Sequence, residues 1–295
     1  LVRAAFRAPW GGPGDGTARH PATIVLILPA ILMGVLLFTG GPGAHAPRSL
    51  KHAWDLGHVA AFMLWTGLPA WLSPRWRAQP LTVQVATVLG LTLVCGAGIE
   101  WLQGGLDRSG DWQDMARNLL GAALALVWLP PYRSRWPRWW HRVGGGVLAA
   151  ASLVALVPLG LALLDEVMAR RQFPVLAAFD SPLETGRWRG SAARTRVKLD
   201  RTPPHWVMRL GLGRDRYSGA SLVHAPGNWK GYTMLQLVFF SPDPDPLDLT
   251  LRIHDQRHQA NPAQRYHDRF NRRFRLQPGW NRVQVPLAEV AAAPV

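Results

Sequence analysis

The chain has 295 residues, 48% of them hydrophobic and 17% charged, a balance that excludes a disordered chain. One cysteine excludes a disulfide framework and any cysteine-based zinc site. The formal net charge is +15, but mean hydropathy near zero averages two unlike halves: long apolar runs up to Leu164, and beyond Phe173 charged residues alternating with single apolar ones.

A helix crossing about 30 Å of hydrocarbon needs about 20 mostly apolar residues. Five stretches meet or approach that length: 22–40, 55–73, 81–103, 112–129 and 143–164. The first follows Arg3, Arg7 and Arg19 in the manner of a secretory signal, but its apolar run is longer than a signal core and further spans follow, so it reads as a retained helix. Arg75 and Arg77, then Arg133, Arg135, Arg138 and Arg142, fall in alternate loops with the N-terminal arginines, whereas the opposite loops hold only Arg48, Lys51 and Arg108. Because cytoplasmic loops retain Lys and Arg, this pattern predicts a cytoplasmic N-terminus, an extracytoplasmic C-terminal half and a multi-pass protein of the inner membrane. Much of the positive charge is then topogenic, so no nucleic-acid partner is expected. The many tryptophans near span ends read as an interfacial belt.

Polar residues within such spans are costly and are functional candidates. Glu100 and Gln103 stand three apart at the end of the third span, and Asp114 and Asn118 four apart at the start of the fourth, so each pair shares a helix face. Arg108 lies in the connecting loop, and Asp55 and His58 open the second span at the same predicted level. Glu100, Asp114 and His58 are the candidate acid–base groups. The same side chains also suit a packing role, hydrogen-bonding across helices.

Glu100-Trp-Leu-Gln103, Arg108-Ser109 and Asp114 with Asn118 and Gly121 resemble the ExxQ, Arg-Ser and DxxxNxxG signature of VanZ-like membrane proteins. Asp55, His58 and Phe62 resemble that family's DKxxHxxxF element, with Leu56 where its lysine would stand. The resemblance covers about residues 50–130. It implies a helical membrane domain and an association with resistance to glycopeptide antibiotics such as teicoplanin, without specifying a reaction.

Beyond Phe173 the apolar period is two. Leu235, Leu237 and Phe239 alternate with Met234, Gln236 and Val238, then Leu247, Leu249, Leu251 and Ile253 with Asp248, Thr250, Arg252 and His254, and further candidate strands cover 194–199, 206–212, 218–224, 269–276 and 281–287. Short strands divided by Pro, Gly, Asp and Asn turns predict an antiparallel sandwich. Phe179-Asp180, Trp229-Lys-Gly-Tyr232, Leu251 to Asp255, Asp268 to Asn271 and Gly279-Trp-Asn281 resemble, in that order, a galactose-binding-type jelly roll, near carbohydrate-binding modules of family 11 type. The fold expected is therefore about five transmembrane helices plus an all-β jelly-roll sandwich. Its divisions are a cytoplasmic segment 1–21, a transmembrane domain 22–164, a linker 165–178 and a sandwich 179–295 truncated at its C-terminal end.

Alternation puts Arg252 and His254 on the sandwich's outward face. Asp255, His258, Asp268, Arg269 and Asn271 add donors and acceptors suited to sugar hydroxyls, with Trp229 and Tyr232 as stacking surfaces. The histidines and aspartates of this stretch match no standard metal-ligand spacing, and no Walker loop, dinucleotide fingerprint, HExxH or GxSxG occurs, so neither metal nor cofactor is expected. Three functions stay open at this point. One is a cell-envelope protein whose external sandwich binds a glycan or glycan-linked lipid. The others are an intramembrane enzyme or transporter acting on an envelope precursor, and a non-catalytic assembly factor binding a protein.

Overall fold

A computed structural model describes residues 19–38, 41–43, 46–104, 112–199, 205–214, 218–255, 257–258, 261–263 and 265–293, without the side chains of 19–24, 38 and 100–104. Contacts divide the chain into two units, Leu1–Pro226 and Gly227–Val295.

The first unit opens with helices. These are α1 (Arg19–Phe38), α2 (Arg48–Asp55), α3 (Gly57–Leu72), α4 (Pro74–Ala78), α5 (Leu81–Gly104), α6 (Trp112–Trp128), α7 (Pro130–Arg133) and α8 (Arg138–Gln172). Proline sets several ends. Residues before proline avoid the helical region, so Ser73 turns extended before Pro74, and its hydroxyl then accepts the Trp76 N–H at 3.2 Å to cap α4.

A helix lies on each of the five apolar stretches, but among the described residues two are long and apolar enough to cross a membrane: Leu81–Ile99 within α5, and α8. The described apolar part of α1, Val25–Leu37, is shorter. α3 and α6 have 16 and 17 residues, about 24–26 Å at 1.5 Å per residue, short of the hydrocarbon thickness. The reason is visible in their ends. Ser73-Pro74 stops α3, and the first turns of α6 carry Gln113, Asp114, Arg117 and Asn118. Length and composition thus support two crossing helices where five were expected. α8 leaves Leu153, Val154 and Val157 exposed, a large uncovered apolar surface of the kind that lipid covers.

α3 and α6 pack closely because Gly121 has no side chain: a Cβ there would collide with the Val59 carbonyl. Phe62 and Ala61 pack with Leu37 and Ile99, while Ala70, Ala122, Leu126 and Tyr132 form a second apolar cluster. The Tyr132 hydroxyl donates to Thr66 O at 2.8 Å and accepts from Trp76 Nε1 at 3.0 Å. Burial pushes this phenol's pKa up, and the Trp76 bond opposes it. These tryptophans are thus partly structural anchors; Trp65 Nε1 donates to Ala30 O and Trp136 Nε1 to Leu126 O.

A buried ionic network ties the segment after α8 to the helices. Asp165 accepts from Arg187 Nη2 at 2.8 Å and Nε at 3.0 Å, and from Arg48 Nη1 at 3.1 Å. Glu166 accepts from the N–H and hydroxyl of Ser49 at 2.9 and 2.8 Å. Glu184 is buried as well, where it accepts from the N–H groups of Ala178, Phe179 and Ser181 and forms a capping box with Ser181 around a 3-10 turn, Pro182–Arg187. The bond to Phe179 N holds that residue at φ 60, a left-handed conformation. Nearby, burial and then the charge of Arg189 depress the Lys51 ammonium's pKa.

Four strands complete this unit. β1 (Trp188–Arg189) pairs antiparallel with β4 (Ser221–Leu222), and β2 (Ala193–Leu199) with β3 (His205–Gly211). The second unit has β5 (Met234–Ser241), β6 (Leu247–Ile253), β7 (Phe270–Leu276), β8 (Gly279–Pro286) and α9 (Leu287–Ala291). β5 pairs with β8 and β6 with β7, all antiparallel. The inward residues named by alternation, Leu235, Leu237, Phe239, Leu247, Leu249, Leu251 and Ile253, join Phe270, Leu276, Val283 and Val285 in one core. Among the described residues the strands form four two-stranded ribbons. A jelly roll requires those ribbons to join into larger sheets, so the antiparallel pairing stands without that topology.

Candidate functional site

α2, α3 and α6 bring four of the predicted polar residues together. His58, on the first turn of α3, is 5% exposed; its Nδ1 lies 2.9 Å from Asn118 Oδ1 and its Nε2 3.6 Å from Asp114 Oδ2. The i,i+4 spacing of Asp114 and Asn118 lets α6 grip the imidazole from two sides. Arg117 pairs with Asp114 and reaches Asp55 at 3.9 Å, and Asp55 lies 3.7 Å from His52 Nδ1. Accessibility rises along the chain of contacts: the side chain of Arg117 is 17% exposed and that of Asp55 38%. The cluster is therefore closed at Asn118 and open at Asp55 and His52.

Asn118 carries an unusual feature at the closed end. It is fully buried, and its Nδ2 has no hydrogen-bond acceptor among the described residues. A buried donor left so costs about 1–3 kcal/mol. Gly96 of α5 faces it, since a Cβ there would stand 3.1 Å from Nδ2 and 2.8 Å from the Met115 side chain. Glu100 and Gln103 follow on α5, with side chains outside the described set; Arg108 is also outside it. The cation described beside Asp114 is Arg117.

The strand candidates divide between two ribbons. Arg252 and His254 are exposed on the outward side of β6 and its extension, and Asn271 of β7 stands opposite Arg252 in register. Asn271 Nδ2 donates to Tyr266 O at 3.0 Å and to Arg269 O at 3.1 Å, which fixes the loop before β7. The Arg269 guanidinium lies 5.5 Å from the centre of the Tyr266 ring. By contrast His258 is buried, with its Nδ1 3.3 Å from Asp268 Oδ2 and its N–H donating to Asp255 Oδ1 at 2.9 Å. It serves as an anchor of the loop, and it occupies the carboxylate of Asp268 expected at the ligand face. Trp229 and Tyr232 form a turn before β5, whose strand partner is β8 and not β6. The exposed aromatic ring beside Asn271 is Tyr266. Among the described residues no group of three His, Cys, Asp or Glu side chains is arranged to hold a metal ion.

No known protein family, curated protein or solved structure matches the chain. The site is therefore assigned on its own geometry. Sequence reasoning missed Arg117 because an arginine at the head of a membrane helix reads as an ordinary boundary charge. Its position three residues after Asp114 was the available signal. Tyr266 carries no periodic signal, since its loop is polar throughout. A depression of about 430 Å³ between α7 and α8 is lined by Arg133, Trp136, Arg138 and His141 and contains none of the candidate residues.

Proposed function

We propose that this chain is a multi-pass membrane protein of the cell envelope, of VanZ-like type, that holds a glycan-linked lipid. In this reading α1, α3, α5, α6 and α8 all cross the inner membrane, the N-terminus is cytoplasmic, and the strands form an extracytoplasmic sandwich of jelly-roll type. The observation that carries it is the convergence of Asp55, His58, Asp114, Arg117 and Asn118 from separate helices. The open end offers carboxylate acceptors and a guanidinium donor at a boundary where sugar hydroxyls need both. His58 and Asn118, at the closed end, position the groups that touch the head group.

The test uses the full chain in nanodiscs and a polyprenyl-diphosphate-linked disaccharide as probe. Asp55→Asn and Arg117→Gln should each weaken binding about tenfold or more, because a charge-assisted hydrogen bond contributes about 1.5–3 kcal/mol. Melting of the protein should stay in place. Equal binding of the polyprenyl diphosphate without its sugar, or unchanged binding by both variants, overturns the reading.

A second reading adds the strand region as a sugar-binding face. Support comes from Arg252 and His254, exposed on one side of β6, and from Asn271 opposite Arg252.

A further inference from the structure

At the start of β7 a depression of about 220 Å³ is lined by Tyr266, His267, Arg269, Phe270, Asn271 and Ala293. Tyr266 is 60% exposed, a flat ring turned to solvent on a loop that Asn271 holds from below. Arg269 lies against that ring, and its Nε is buried with no acceptor among the described residues. A guanidinium N–H withdrawn from water and left unmatched favours an incoming oxygen, above all a charged one.

The outward side of the same ribbon continues this preference. Arg252 stands opposite Asn271, Thr250 opposite Arg273 and Asp248 opposite Arg275. Arg252 and Arg273 are therefore diagonal neighbours on one face. Both are exposed, and neither is in an ion pair within 4.0 Å among the described residues. The one carboxylate on that face, Asp248, stands at the far end. Asp268, next to Arg269 in the chain, already faces His258.

We infer that this depression binds an acidic sugar, with Tyr266 stacking on the ring while Arg269, and Arg252 and Arg273 along the outward face, take its anionic oxygens. The inference rests on the sugar-binding reading of the strand region and narrows it to saccharides bearing carboxylate or phosphate groups. A neutral sugar would stack on Tyr266 but leave three cations without counter-charge. A flat anionic membrane would meet Arg252 and Arg273 but has nothing to place on an exposed tyrosine ring beside a small depression. The ring, the depression and the cations together fit a saccharide.

The test is binding by the full chain in phosphatidylcholine nanodiscs. The probes are an oligogalacturonate for the carboxylate source, a phosphomannan oligosaccharide for the phosphate source, a neutral galactan oligosaccharide, vesicles containing phosphatidylglycerol, and single-stranded DNA. The structure predicts that at least one acidic oligosaccharide binds about tenfold or more tighter than the neutral one, and which of the two does so identifies the source of the charge. Tyr266→Ala and the double variant Arg252→Gln with Arg273→Gln should each lose about tenfold, while Tyr266→Phe retains binding because the ring does the stacking. Arg269→Gln should also lose about tenfold; if it lowers the melting temperature, the double variant on the exposed face decides. Equal binding of the neutral sugar, still sensitive to Tyr266→Ala, rejects the acidic class alone. Binding of no sugar rejects the sugar-binding reading too. Tighter binding of vesicles or DNA than of any sugar, or full binding by the variants, overturns the inference.

Discussion

Asp165 is the residue on which the segment after α8 depends most. It is 2% exposed and accepts from two arginines, one of them the fully buried Arg187. Removing one partner of a buried ion pair leaves the other charge unmatched and costs about 3–5 kcal/mol. Asp165→Ala should therefore lower the melting temperature of the purified protein markedly, whereas Glu166→Gln, on a half-exposed neighbour, should cost far less. A loss below about 1 kcal/mol, the range of an exposed pair, would mean that Arg187 transfers to Glu184, already 3.9 Å away. None of this was legible in the sequence. Asp165 sits just past an apolar run and reads as its boundary, and its partners lie 22 and 117 positions away. Asp55, His58, Asp114 and Asn118 were legible because polar side chains stand out within apolar stretches and helical spacing aligns them. Arg117 and Tyr266 were not, because each lies where polar residues are ordinary.

Between elements, the α3–α6 contact fixes the polar cluster. Gly121 lies one turn after Asn118, and its bare backbone meets the Val59 carbonyl next to His58. Gly121→Ala forces these helices apart at the point where the Asn118–His58 contact forms. Overpacking of this kind costs about 1–3 kcal/mol, so the variant should melt earlier and also lose affinity for the glycan-linked lipid. Unchanged melting would show that the helices are not in close contact at this point. The strands show what alternation does and does not encode. Period two marked the inward residues of β5 and β6 correctly, since each apolar residue it named joins the core. It did not fix the partners. β5 pairs with β8, and its alternation would serve equally well beside β6. That is why Trp229 and Tyr232, which precede β5, were expected near Arg252 and are not on its ribbon.

For the whole molecule, the apolar character of the first half is uneven. α8 and most of α5 have the length and composition to cross a membrane, while α3 and α6 end early, at Ser73-Pro74 and at the polar turn that carries the site. Short helices adapt by packing beside longer ones or by local thinning of the bilayer, so the polar cluster at the head of α6 and a shortened apolar length have the same cause. The proposal joins this cluster and the strand region in one envelope protein, which requires that everything after α8 lie outside the cell. Reporter fusions after Arg77 and after Phe173 measure that directly. The account predicts that the Arg77 fusion is active only as a cytoplasmic reporter and the Phe173 fusion only as an exported one; a cytoplasmic Phe173 fusion would contradict it, and the glycan and glycan-linked-lipid readings would fall together.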